Sequence, residues 1–281
     1  MISTLAPLLK RIFAFQLLLN LASFCSLNAQ ISLEIIELPR SINETSGLEI
    51  IGDNFVTFND SGGAPELYFF DKTGRLTGSS MVHEAHNVDW EDICSDPNYY
   101  YIADTGNNYG KRRDQKIYRL NRNLILKDSI TLSYAAQKSF KRRMTHPFDA
   151  EALADFNDSL ILFSKDRSTN NSAVYQIAKQ PGHQVLVAKD SLYVECLITG
   201  ADFHKDSGLM GLTGYSKDGS QFLFLMPDYS VPYDQSKMMR YVLPVMPAQI
   251  EAIHIESPSA IWLTSEDEGL GLPRLFKVNI N

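Results

Sequence analysis

The chain has 281 residues, 44% of them apolar and 21% charged, a balance that excludes a disordered chain and fits a globular one. Its net charge of −7, with no basic run long enough to follow a phosphate backbone, argues against nucleic acid as a partner. Past the N-terminus no run of 18 apolar residues occurs, so no transmembrane segment is expected in the mature chain.

Lys10 and Arg11 precede the apolar stretch Ile12–Leu27, and Ala29 offers the small residue that a signal peptidase prefers. Residues 1–29 read as a secretory signal peptide, with an uncleaved anchor as the alternative. Attachment of a lipid at Cys25 is disfavoured by the bulky Phe24 before it. Cleavage leaves residues 30–281 as one domain of 252 residues with a charge near −9, in a secreted, periplasmic or cell-surface location. Cys94 and Cys196 lie in apolar strand-like runs and read as two buried thiols. Asn43, Asn59, Asn157 and Asn170 open Asn-x-Ser/Thr triplets, which matter only where a host glycosylates.

From Ile35 onward, short runs rich in β-branched and aromatic residues alternate with Gly, Asn, Asp and Pro, and no helical stripe lasts three turns. A repeat is visible at a period near 50. Units open at Glu44–Ile50, Asp89–Ile93, Asp149–Leu153, Thr199–Phe203 and Gln249–Ile253. Each continues into a second apolar strand, for instance Tyr99–Asp104 or Leu160–Asp166, and a third that carries an aromatic residue. Five such units make an all-β, five-bladed β-propeller the expected fold, with the N-terminal strand Ile31–Leu38 closing the ring on the last blade. Six blades, with a degenerate one in 121–146, is the rival; a β-sandwich comes third because it leaves the period unexplained.

The innermost strand of each blade lines the axis, so Ser46, Glu91, Glu151, Ala201 and Glu251 are expected to form a ring, with Asp89 and Asp149 two residues earlier. Three converging glutamates must be solvated, protonated or neutralised. Oxygen-only ligands favour Ca²⁺, so Ser46, Glu91, Glu151 and Glu251 are the expected metal ligands. The bland alternative is that they cap strands or bind water and arginines. Ends of the second strands place Asn59, Asp60, Asp104, Lys165 and Asp166 beside Asp89 and Asp149 on one ligand-binding face, where turn chemistry explains the same residue types.

The series Ser, Glu, Glu, x, Glu, with Trp90-Glu91 and Ile250–Ile253 as its closest local matches, resembles the calcium-activated nucleotidases (apyrases). That resemblance implies a five-bladed propeller with an axial Ca²⁺ held by Ser and Glu side chains. The fourth unit departs from it, since Ala201 has no ligand atom; Thr199 or a carbonyl is the substitute. Asn87–Ile93, Ile102–Asn108 and Phe148–Leu153 resemble the secreted propellers grouped as phytase-like esterase domains, and imply a hydrolase.

His83 and His86 stand three apart in a loop without a third ligand and read as exposed loop histidines. Lys111–Arg113 and Lys138–Arg143 are basic clusters that would attract an anion or remain a solvated face. No G-x-S-x-G elbow, Walker loop or G-x-G-x-x-G turn is present. The expected function is a calcium-binding scaffold or binding propeller, monomeric, facing an anionic small molecule or a cell-surface ligand. The alternative is a metal-assisted hydrolase of phosphate or carboxylate esters, with its catalytic residues unassigned.

Overall fold

A computed structural model describes residues 31–245, 248–267, 269 and 271–280. The expected signal segment and its cleavage point lie outside the described residues.

The chain begins with β1 (Ile31–Glu37). Four strands of a first blade follow: β2 (Thr45–Ile51), β3 (Asn54–Asn59), β4 (Glu66–Phe70) and β5 (Leu76–Met81). Blade two contains β6 (Trp90–Ser95), β7 (Tyr99–Asp104), β8 (Lys116–Asn121) and β9 (Leu126–Tyr134). Blade three contains β10 (Ala150–Phe156), β11 (Ser159–Ser164), β12 (Ser172–Ala178) and β14 (Asp190–Leu192), with β13 (Gly182–Leu186) inserted before its last strand. Blade four is β15 (Leu197–His204), β16 (Leu209–Tyr215), β17 (Gln221–Met226) and β18 (Met239–Leu243). Blade five is β19 (Ile250–Ser257), β20 (Ala260–Ser265) and β21 (Arg274–Ile280), completed by β1.

The fold is therefore the expected five-bladed propeller, and β1 closes it. It pairs antiparallel with β21 from Ile31↔Ile280 to Glu37↔Arg274. The rival sixth blade does not form, because residues 121–146 supply β9, the outer strand of blade two, and a loop. One connection was not anticipated. β13 leaves blade three and pairs in parallel with β9, so the outer edge of blade two is covered by its neighbour's chain.

The inner strands β2, β6, β10, β15 and β19 neighbour one another in that order around the axis. The core among the described residues is five clusters, each shared by two adjacent blades. Trp90, for example, packs edge-on against Phe58 of blade one with centroids 5.3 Å apart, and Trp262 of blade five meets Phe55 at 5.1 Å. Phe, Trp and Tyr recur in the repeat because a flat sheet face must be filled against the next one. Cys94 and Cys196 are free and buried, as expected. No helix among the described residues is long and apolar enough to cross a membrane.

Candidate metal centre

The inner strands are interrupted at one height by bulges. The antiparallel register jumps between Trp90 and Asp92, between Ala150 and Ala152, and between Ile250 and Ala252. The residues left out of the ladder are Glu91, Glu151 and Glu251. A bulge re-aims the extra side chain, and these three line one cup at the axis, where the inner strands begin. In blade four the jump falls between Ile198 and Gly200, so Thr199, rather than Ala201, occupies the equivalent place. Its hydroxyl does not line the cup; it donates to the carbonyl of Ile250 at 2.7 Å and ties blade four to blade five. Ser46 makes the same kind of latch, donating to the carbonyl of Glu91 at 2.6 Å. Thr105 repeats it toward Ala150 at 2.8 Å.

Two glycines make room for this geometry. Gly47 has φ +68, and a Cβ there would come within 2.9 Å of the Ile93 amide of the next blade. A Cβ on Gly106 would collide with the carboxylates of both Glu91 and Asp89.

The cup has a volume of about 130 Å³ and includes Asp60, Lys165, Arg167 and Glu266 in its lining. One oxygen from each of Glu91, Asp149 and Glu151 lies within 4.8 Å of the other two, and all three residues are buried. Burial, and then Glu151, Asp89 and Asp149, push the Glu91 carboxyl well above its ordinary range. Burial and Asp149 likewise raise Asp89 to about 7, and burial raises Glu251 to about 8. Lys165 forms an ion pair with Glu151, and Arg167 with Asp149. Burial opposes the Lys165 charge, but Glu151 and Glu251 outweigh it and hold its pKa well above the ordinary lysine value. Among the described residues, no lysine or arginine lies within ion-pairing distance of Glu91 or Asp89.

The residues singled out by sequence separate into two groups. Glu91, Glu151, Glu251, Asp60 and Lys165 line the cup along with Ser46, and Asp149 completes the carboxylate triad. Glu251 lies on the wall outside that triad, close to Gln249. Asp89 lines a neighbouring groove beside Gly106, and Asp104, Asp166 and Asn59 are committed to structure. Asp104 is fully buried and accepts from Arg112 at 2.9 Å and from the amide of Asp89 at 3.1 Å. Asp166 accepts from the Ser168 amide at 2.8 Å and the Thr169 hydroxyl at 2.7 Å, a turn. Asn59 donates to the carbonyl of Ser41 at 2.9 Å. His83 and His86 are exposed loop residues and join no metal-capable group among the described residues.

Asp92 was overlooked. It stands next to Glu91, 1% exposed, and one oxygen accepts from the amides of Leu153 at 2.8 Å and Ala201 at 3.1 Å. One carboxylate thus joins three inner strands. The Asp-Trp-Glu-Asp run gave no signal for this, since only the ring geometry brings the two amides to it. The far mouth of the axis holds a cavity of about 390 Å³ that includes Glu49, Asp96, Asp155, Asp202 and His254. Its acids have partners: Lys179 pairs with Asp155 and Asp96, and Asp202 accepts from the Ile255 amide at 2.7 Å.

No family model matches the chain, and no curated protein sequence does. Solved structures match in fold. An aldose sugar dehydrogenase from Streptomyces coelicolor, solved with PQQ bound, is 12% identical with a TM-score of 0.51, over 90% of this chain and 99% of that one. An exo-β-1,3-galactanase from Phanerochaete chrysosporium, solved with β-1,3-galactotriose, is 12% identical with a TM-score of 0.54, over 88% of this chain and 64% of that one. At such identities the likeness is of the propeller fold alone. The nucleotidase and phytase-like resemblances have no counterpart in these matches.

Proposed function

We propose that the cup seats a hard divalent cation, Ca²⁺ first, and that the protein is a metal-stabilised binding propeller. The observation that supports this most directly is the buried triad Glu91, Asp149 and Glu151. Three oxygens within 4.8 Å of one another leave a point within about 2.8 Å of each, close enough for one ion to be reached by all three. Asp89 stands two residues before Glu91 and shares its lack of a cationic partner. The metal would supply the positive charge that Lys165 and Arg167 already give Glu151 and Asp149.

The size of the cup favours an ion over an organic substrate. At about 130 Å³ it admits a cation with a few waters, whereas enclosed small-molecule sites run from roughly 300 Å³ upward. Ester hydrolysis draws less support, because Lys165 and Arg167 are held in ion pairs instead of facing open space. The pattern in residues 1–29 places the mature chain outside the cytoplasm in this reading, and a mature N-terminus at Gln30 is the corresponding expectation.

Calcium at a hundred times its Kd should stabilise the native state by about 2.7 kcal/mol. Melting with calcium, with magnesium and with chelator tests this. The wild type should melt higher in calcium and Glu91→Gln should not respond. A wild-type melting temperature unmoved by millimolar calcium sinks the reading.

A further inference from the structure

β13 covers the edge of β9 and by doing so becomes the outermost strand of that sheet. It runs in parallel register with β9 from Gly182↔Ile130 to Leu186↔Tyr134, without a bulge. The carbonyl of Leu186 accepts from the Ala135 amide at 2.9 Å, so the backbone groups of Leu186 turn toward β9. Consecutive residues of a strand turn theirs to opposite sides, which directs the N–H and C=O of His183, Val185 and Val187 away from the sheet. Leu186 is buried in the core cluster shared by blades two and three, whereas Val185 and Val187 are each 59% exposed.

An unpaired strand edge invites another chain, and proteins guard such edges with charge, irregularity or a cap. The other outer strands carry these guards. β1 has Glu34 and Glu37 along it, and β18 has the exposed Arg240. β5 is bulged against β4 beside Gly78. β14 has three residues and is capped: the Gln235 side chain donates to the carbonyl of Ser191 and accepts from the Tyr193 amide, both at 2.9 Å. β13 has none of these. Residues 180–188 contain no Asp, Glu, Lys or Arg, on a chain whose net charge is −7. The adjoining face of β9 is neutral too, with the His183 ring held by the Thr131 and Ser133 hydroxyls at 3.2 and 3.1 Å.

We propose that β13 is the contact through which two copies of this chain pair, antiparallel about a twofold axis at Val185. Val185 then meets Val185 of the second copy and His183 meets Val187, each pair exchanging both backbone hydrogen bonds. The valine side chains stand on one face and cover each other across the axis. Each copy's open edge is used up, so the assembly stops at two. Neutrality selects the partner, because two acidic molecules repel least where neither presents a charge. A foreign peptide added to an edge is selected by side-chain pockets beside it, and the cup, the far mouth and the groove beside Asp89 all lie elsewhere. The pairing departs from the monomer expected from sequence and does not depend on the metal reading.

Sedimentation velocity of the isolated protein from about 1 μM to about 1 mM reads the pairing. Wild type should pass reversibly from monomer to dimer, in chelator as in calcium. Val185→Lys and Val185→Glu should each weaken pairing at least about tenfold, since each sets two like charges opposite one another. Their melting temperatures at low concentration should match wild type. Mixed in equal amounts, the two variants should pair again as a heterodimer, which misfolded chains would not do. Val242→Lys, at a similarly exposed site on β18, should pair like wild type. A dimer that survives both charged variants, a mixture that stays monomeric, or an equal loss in Val242→Lys would overturn the proposal. So would a wild type that stays monomeric throughout; if it then binds a synthetic peptide of alternating valine and threonine, the edge belongs to a foreign strand.

Discussion

At the scale of single residues, neighbouring acids in one short run do opposite work. Glu91 is expelled from the ladder by a bulge and faces the cup, whereas Asp92 turns inward and accepts backbone amides from blades three and four. Burial raises the Asp92 carboxyl well above its ordinary range, and the bonds from Leu153, Ile93 and Ala201 act against that rise. Asp92→Ala removes the acceptor and strands two buried N–H groups, each of which costs roughly 1–3 kcal/mol when left unpaired. A loss of about 2–5 kcal/mol is expected on chemical denaturation. Asp92→Asn keeps one acceptor oxygen and should lose less than half of that. If the alanine variant unfolds like wild type, the carboxylate does not tie the inner strands.

At the scale of elements, the second and third strands of every blade were legible because short, nearly continuous apolar and aromatic runs with turn residues at both ends are too short for helices. Tyr99–Asp104 coincides with the expected range. The fourth strands were harder to see. β14 has three residues and β5 is mostly exposed, so neither has an apolar pattern to betray it. The site was legible in part for a related reason. Equal spacing located Glu91, Glu151 and Glu251, but a bulge can shift by a residue or two, and spacing alone put Ala201 where Thr199 stands. The partners of those acids, Lys165 for Glu151 and Arg167 for Asp149, are set by ring closure and leave no mark on the local sequence. Closure itself rests on β1. A chain beginning at Leu38 should expose the edge of β21 and lose the seven-residue register with it. It is expected to melt several degrees lower or to self-associate, as read by calorimetry and light scattering. Behaviour like wild type would mean that blade five is stable with three strands.

At the scale of the whole molecule, the placement of charge predicts an unusual pH dependence. Burial lifts Asp89 to about 7, Glu251 to about 8 and, at the far mouth, Asp202 to about 6. The folded state therefore holds protons that the unfolded chain has released, since ordinary carboxyls ionise near pH 4. Stability from these groups is complete below pH 4 and is lost as pH rises through 6 to 8. Acids with lowered values act in a separate window: Asp71, held near 2 by the Thr73 hydroxyl, favours the fold above pH 4 and stops doing so only in stronger acid. Without metal, the protein should thus melt higher at pH 5 than at pH 8. A cation in the cup reverses the preference by favouring the ionised carboxylates of Glu91, Asp89 and Glu151. The calcium-induced rise in melting temperature should then grow from pH 5 to pH 8, while Glu91→Gln should melt at least as high as wild type at pH 8 in chelator, because a neutral amide adds nothing to the repulsion among these buried acids. Scanning calorimetry across that range, with and without calcium, reads all three effects. A calcium shift that is flat or shrinks with rising pH would place the ion away from these acids.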